Sequence, residues 1–293
     1  MALYAQLFLN TVQIGSVYML FSLGLTIIFG VMRVVNFAHG ELFAAAALLV
    51  AALVPAATAH LGVPIVISYA LSIVAAMVAV SLLGAVLYQF GFRLYLRDMT
   101  GSFILSLGFL LLLQGVLVEI FTGVPRVVPP ISEETMVFLG GRVTVQRLVT
   151  CAAALVLATS VIGLIKYTNL GMALRAVSED YEAAMLQGIK YGRIAFVGFL
   201  VGVNLAAAAG CLIAPLFTVT PFMGADYLVR AFIIVIIGGL GSISGTVLAS
   251  FVVALLDTLG GFYFDPTTTT IAMFALVMLL LVLRPQGLMG RSD

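Results

Sequence analysis

The sequence predicts an all-α, polytopic membrane bundle of about eight or nine spans, some of them broken or re-entrant. Three observations carry this reading. The 293 residues are 63% hydrophobic and 9% charged, with a mean hydropathy of +1.25. A soluble domain carries roughly 25% charged residues, so a soluble enzyme is excluded, and the same apolar excess excludes intrinsic disorder. The apolar residues fall in nine runs, at 7–30, 42–59, 64–92, 102–121, 148–166, 194–217, 228–239, 243–259 and 268–283. A spanning helix needs about 20 such residues. The runs are also continuous blocks, without the alternation that a closed barrel requires, so each is expected to be helical. Residues 1–293 therefore read as a single transmembrane domain.

The first run opens at MALYAQLFLNTVQIG. It has no positively charged leader and reads as a span, not a cleaved signal. Between the first and second runs, Asn36, His39, Gly40 and Glu41 crowd polar groups between apolar helices. The stretch 122–147, after the fourth run, is rich in proline and glycine and is expected to be an irregular surface loop. The stretch 166–193 is hydrophilic, but its middle suits a helix. Ser178 is the expected N-cap, Glu179, Asp180 and Glu182 favour the positive helix end, and Gly188 supplies a stop. The run at 228–239 is short for a span and ends in Gly238-Gly239-Leu240-Gly241-Ser242-Ile243-Ser244-Gly245, where glycines break a helix.

Paired interruptions, one early and one late, are the sequence pointer to a transport site. Their similarity is too weak to define a repeat. Asn36, His39 and Glu41 are candidates for lining a path, because intramembrane ionisable groups are functional by default. The alternative is that Asn36 and His39 cap freed backbone groups near the cytoplasmic end. Gly238, Gly239, Gly241, Ser242 and Gly245 divide in the same way between lining a cavity and allowing close packing.

Alternating nine segments places Arg33, Arg93, Arg97, Lys166, Arg175, Lys190, Arg193, Arg284 and Arg291 on one side. Arg126, Arg142, Arg147 and Arg230 fall on the other. The richer side is expected to be cytoplasmic. The N-terminus then starts outside, 122–147 is periplasmic, and 166–193 and the C-terminus are cytoplasmic. The net charge of +1 gives no reason to expect nucleic acid. Cys151 and Cys211 lie in separate apolar runs and read as packing residues, not a disulfide or metal pair. Asn204 reads as interhelical glue beside the GxxxG spacing of Gly198 and Gly202. Gln114, Glu119 and Asp257 fall toward outer span ends, and Asn10 and Gln13 are candidate entrance residues.

The segment Glu182-Ala183-Ala184-Met185-Leu186-Gln187-Gly188 fits E-A-A-x-x-x-G, the core of the coupling motif of ABC importer permeases. Further matches are Gly24 to Gly30 with Asn36-Phe37-Ala38-His39-Gly40-Glu41, and Gly171 to Ala176 with Glu179-Asp180 and Gly188-Ile189. After them come Gly238 to Ile243 with Gly245, and Arg284-Pro285-Gln286-Gly287-Leu288. On these stretches the chain resembles the LivH-like permease subunits of branched-chain amino-acid ABC importers from near residue 15 to 290. Tyr181 stands where a proline or a small or charged residue is frequent.

The resemblance implies half of a translocation pathway for branched-chain or other apolar amino acids. A second, LivM-like permease would supply the other half, within the lipid of the bacterial inner membrane. Two cytoplasmic ATPase subunits would carry ATP and Mg, and a periplasmic binding protein would deliver substrate. Arg175, Glu179, Asp180, Glu182, Ala183, Ala184 and Gly188 would dock the ATPase. The chain lacks a G-x-x-x-x-G-K-[ST] loop, so no cofactor is expected on it and no catalytic or metal-binding residue is assigned. Related importers carry urea, short amides or other small organic solutes. Two other classes fit less well. An intramembrane protease would need a G-x-S-G serine, and Ser242-Ile243-Ser244-Gly245 lacks the first glycine. A secondary transporter would leave the E-A-A-x-x-x-G segment unexplained.

Overall fold

The computed structural model describes residues 2–138, 140–284 and 286–289; Pro285 of the tail motif and Arg291 lie outside the described residues. In chain order the helices are α1 (Ala2–Met32), α2 (His39–Leu61), α3 (Ile65–Phe90), α4 (Met99–Phe121) and α5 (Val145–Tyr167). They continue as α6 (Asn169–Glu179), α7 (Tyr181–Leu186), α8 (Tyr191–Ile213), α9 (Met223–Gly238), α10 (Ile243–Tyr263) and α11 (Pro266–Leu283). Eight of them are long and apolar enough to cross a membrane, while α9, at 16 residues, is not one of the eight. The chain is an all-α membrane bundle.

Helix boundaries follow local chemistry. Asp98 accepts a hydrogen bond from the Gly101 amide, Thr144 from Arg147, Thr168 from Gly171, and Asp265 from Thr267 and Thr268. Each satisfies an amide that the helix itself leaves free. α1 is the central post, sheathed by other helices, with its largest contacts to α8 and α10. α4 and α11 lie outermost and leave most of their apolar surface free, as lipid-facing helices do.

Close approach at the centre depends on glycine. A Cβ on Gly24 would stand 2.6 Å from the Gly202 carbonyl oxygen, and a Cβ on Gly202 would stand 2.6 Å from that of Gly24. The α1 and α8 backbones touch there, and the small residues that permit it are the device membrane helices use in place of a hydrophobic drive. Asn204, two residues beyond Gly202, accepts from the Ser81 hydroxyl on α3 at 2.8 Å.

Two details differ from the sequence expectation. The 122–147 stretch carries a hairpin, β1 (Thr135–Phe138) and β2 (Gly141–Thr144), paired antiparallel with Phe138 opposite Gly141. Gly140, with φ at 83°, turns the chain between them. The 166–193 middle is two helices. Ser178 belongs to the last turn of α6, and Asp180 is the cap of α7, because its carboxylate reaches the Glu182 and Ala183 amides at 2.9 and 3.1 Å. Arg230, which falls within the seventh apolar run, lies inside α9, where Asp257 of α10 pairs with it at 3.0 Å.

Candidate functional site

The early interruption is a re-entrant segment. α1 ends at Met32, yet His39, the first residue of α2, lies beside the middle of α1. Its Nε2 is 3.2 Å from the Phe21 carbonyl oxygen, its ring stacks on Phe21, and it also approaches Gly24. Phe21 stands eleven residues before Met32, about 16 Å along the axis. Residues 33–38 therefore run back along α1, and α2 begins at half depth. His39 is well inside the bundle, not near its end.

A second helix that starts inside the bundle meets it. α9 starts at Met223, and the backbones of Gly40 and Gly224 touch: a Cβ on Gly40 would stand 2.5 Å from the Gly224 carbonyl oxygen, and the reciprocal contact is as close. Tyr227 of α9 stacks against Phe43 of α2 at 4.6 Å between centroids. From this meeting point the two helices diverge. α2 runs toward the end that carries the hairpin, and α9 toward the end that carries α6 and α7. Neither start has a side-chain cap. Two positive helix ends thus converge at half depth.

Asn36, His39 and Glu41 are buried there, at 0%, 0% and 1% exposure. The Asn36 amide, His39 Nδ1 and both Glu41 carboxylate oxygens have no hydrogen-bond partner among the described residues. Asn36 therefore does not cap α2. The Glu41 carboxyl in the first turn of α2 stands where a helix dipole favours negative charge.

Sequence reasoning missed the partner of this break. It paired Asn36–Glu41 with the glycines at 238–245, whereas the helix start opposite Gly40 is at Gly224, after the non-helical stretch 214–222. Val219 in that stretch pairs with Arg126 of the hairpin end, by two backbone bonds of 2.9 and 2.8 Å. Pro215 and Pro221 were the signal available; they lie within or beside an apolar run, whose hydropathy masks them.

The glycines at 238–245 form a tight turn between α9 and α10. Gly239 and Gly241 have φ of 101° and 82°, conformations that other residues adopt at a cost. Gly238 and Gly245 pack backbone to backbone. Ser242 caps α10 by accepting from the Gly245 amide at 3.2 Å. The tail closes over this turn, with Leu288 N–H donating to the Ile237 carbonyl at 2.7 Å.

This turn and the 166–193 helices share one end of the bundle, for a Cβ on Gly30 of α1 would contact both Gly241 and Ser178. α7 is carried outermost. Glu182, Ala183, Met185, Leu186 and Gly188 are exposed, Leu186 at 88%, while Ala184 is buried against the bundle. Gly188 has φ at 85° and turns the chain after α7. Arg175 is exposed and donates to the Lys166 carbonyl at 3.4 Å. Glu179 is exposed near the end of α6. Arg97 clamps this element, its guanidinium 3.2 Å over the Tyr181 ring and 5.8 Å from that of Tyr191. The structure therefore brings the docking candidates together with the late glycines, and holds Asn36, His39 and Glu41 apart from them at half depth.

Discontinuous helices meeting at half depth, inside an apolar bundle with an exposed helical appendage at one end, define a polytopic membrane transport protein of the permease type. Residues 7–283 match the family described as the branched-chain amino acid transport system / permease component, and the chain belongs to that family. It is 28% identical over 304 residues to the high-affinity branched-chain amino acid transport system permease protein LivH of Escherichia coli K12, covering 99% of this chain and 96% of that protein. It is 26% identical to LivH of Salmonella typhimurium LT2, over 99% and 96% of the two chains. It is also 26% identical to the permease protein BraD of Pseudomonas aeruginosa PAO1, over 99% and 97%. No solved structure matches the chain. The apolar helices and the family together make it a multi-pass protein of the bacterial inner membrane.

Proposed function

We propose that this chain is the permease subunit of an ATP-driven importer for branched-chain or other apolar amino acids. It forms half of the translocation pathway, and a second LivM-like permease forms the other half. Two ATPase subunits, which hold the ATP and Mg, dock on α6 and α7 from the cytoplasm, and a periplasmic binding protein delivers substrate to the end that carries the hairpin. In this reading the N-terminus lies outside and the C-terminus inside. The observation that carries the proposal is α7. A short helix with Met185 and Leu186 exposed and Ala184 anchored inward has little reason to present apolar side chains to water unless a partner covers them.

The test is purification of the tagged chain from its own membranes in mild detergent, with mass spectrometry of what travels with it, followed by reconstitution for leucine uptake. Two ATPases and a second permease, with uptake that requires ATP, are expected. Glu182→Lys, or a bulky residue at Gly188, should leave the chain in the membrane but weaken ATPase association. A chain that purifies alone under several gentle conditions overturns the proposal.

A further inference from the structure

Between the end of α8 at Ile213 and the start of α9 at Met223 the chain is not helical, and part of it faces outward. Phe217 and Phe222 are 42% and 53% exposed, and Thr218 is exposed beside Phe217. The first turn of α9 continues with Ala225 and Asp226, both exposed. One short segment thus joins outward-facing irregular backbone to an outward-facing carboxylate.

The segment lies at membrane depth. α8, with 23 residues, is about 34 Å long and crosses the roughly 30 Å hydrocarbon layer. Asp226 precedes Gly238, the last residue of α9, by twelve residues, about 18 Å along the axis. Residues 214–222 therefore descend from the outer end of α8 into the layer, and Asp226 stands well inside it.

Lipid is the wrong neighbour for this strip on two independent grounds. Irregular backbone at such depth is tolerated only against protein or a water-filled cavity, because lipid satisfies no N–H or C=O group. Carboxylates in spanning segments also face the bundle interior or water. The Asp226 side chain has neither an ion pair nor a hydrogen bond among the described residues. Arg230, one turn further on, pairs with Asp257 and donates only to the Asp226 backbone carbonyl, at 3.1 Å. The outer helix α11 shows the contrast, for its exposed side chains at depth are apolar, among them Ile271, Phe274 and Met278. Glu41, in the first turn of α2, is buried and offers no such surface.

We propose that the strip from Phe217 to Asp226 is this chain's wall of a water-filled passage, and that the Asp226 carboxylate draws cationic groups to it. The proposal rests on the importer reading, in which the second permease closes the passage on its far side. It places the passage along the start of α9, and it makes Asp226, not Asn36, His39 or Glu41, the charge that a solute meets there.

The test is thiol accessibility in membranes that hold the whole complex. Phe222→Cys, Ala225→Cys and, on α11, Met278→Cys are made one at a time. Open membrane fragments, with ATP present, are treated with 2-(trimethylammonium)ethyl methanethiosulfonate or with 2-sulfonatoethyl methanethiosulfonate. These charged reagents do not enter lipid, and mass spectrometry reads the modified peptides. Phe222→Cys and Ala225→Cys should be labelled, and Met278→Cys should not. Adding Asp226→Asn to Ala225→Cys should lower the cation-to-anion rate ratio by about seven-fold, for one charge about 7 Å from the thiol in water.

Silent cysteines at both Phe222 and Ala225 overturn the proposal, because lipid or packed protein then covers the strip. A rate ratio unchanged by Asp226→Asn also overturns it, because the carboxylate then lies off the passage. The expected labelling in a complex that shows no leucine uptake upholds the water-filled wall and counts against the importer reading instead.

Discussion

Asp257→Asn removes one negative charge from the bundle and changes almost nothing else. Asp257 accepts from Arg230 Nε at 3.0 Å and Nη2 at 3.4 Å, and from the Tyr18 hydroxyl at 2.5 Å. The carboxamide that replaces the carboxylate can still accept from Tyr18, so the main loss is the neutralisation of Arg230. Arg230 and Asp257 are 20% and 16% exposed at their side chains, and both sit on helices within the apolar bundle. A charged residue at the centre of a spanning helix costs about 2.5–3.5 kcal/mol, and orphaning one partner of a buried pair costs about 3–5 kcal/mol. The ranges overlap near 3 kcal/mol, roughly a hundred-fold in the folding equilibrium. The assay is reversible unfolding in mixed detergent and sodium dodecyl sulfate micelles. Asp257→Asn should lose about 3 kcal/mol, and adding Arg230→Met should restore most of it, because the orphan charge is then gone. Equal losses in the single and double variants would refute the argument, as would a single variant as stable as the parent. Either result would place Arg230 in water rather than inside the bundle.

Other expectations follow from the same geometry. Gly202→Ala should cost about 1–3 kcal/mol by overpacking, since its Cβ meets the Gly24 carbonyl and the Ile28 side chain at 2.6 Å; Gly163→Ala on α5, with nothing within 4 Å, should be neutral or mildly stabilising in the same unfolding assay. Tyr181→Leu should lower the amount of substrate moved per ATP hydrolysed in the assembled importer while Tyr181→Phe should not, because the ring is what Arg97 stacks on. Arg97→Gln combined with Tyr181→Leu should be no worse than the worse single variant. Leu186→Asp should abolish co-purification of ATPase subunits and leave the unfolding midpoint unchanged, since Leu186 is 88% exposed.

The bundle was legible because its signal is bulk. Nine apolar runs predicted helices, and the structure has eight span-length helices and the short α9 in the same places. The capping errors are more instructive. Ser178 and Asp180 are both good N-cap residues, and local sequence does not choose between them; Asp180 wins because α6 continues through Ser178 to Glu179. The hairpin at Thr135–Thr144 escaped notice because four-residue strands carry little pattern. Arg230 falls inside the seventh run, but no local rule names its partner, because Asp257 is 27 residues away. The Gly40–Gly224 contact is longer-ranged still, and no local rule identifies the partner of a glycine.

Reciprocal contacts explain why that partner had to exist. α1–α2–α3–α4 and α8–α9–α10–α11 repeat one order: a long helix, a helix that starts inside the bundle after a re-entrant or non-helical stretch (α2 with 23 residues, α9 with 16), then two spans. Gly24 meets Gly202, and Gly40 meets Gly224, each from both sides. Two residues beyond Gly24, Thr26 shares a hydrogen bond with Thr246 of α10 at 2.7 Å; two residues beyond Gly202, Asn204 takes one from Ser81 of α3. Each of these four side chains also bonds the carbonyl four residues before it, at Ser22, Leu200, Ser242 and Met77. α1 and α8 pack antiparallel, so the two sets cross the membrane in opposite senses. Such an inverted pair brings the starts of its two interrupting helices together where the halves meet, and neither start here has a side-chain cap. Matching Gly40 to Gly224 sets Asn36 against Thr220, His39 against Met223 and Glu41 against Ala225, and this is where the two halves part. Each start still carries one acidic residue in its first turn, Glu41 in α2 and Asp226 in α9, but Glu41 is buried and Asp226 exposed, so the two halves share the charge at their helix starts and differ in how deeply they bury it.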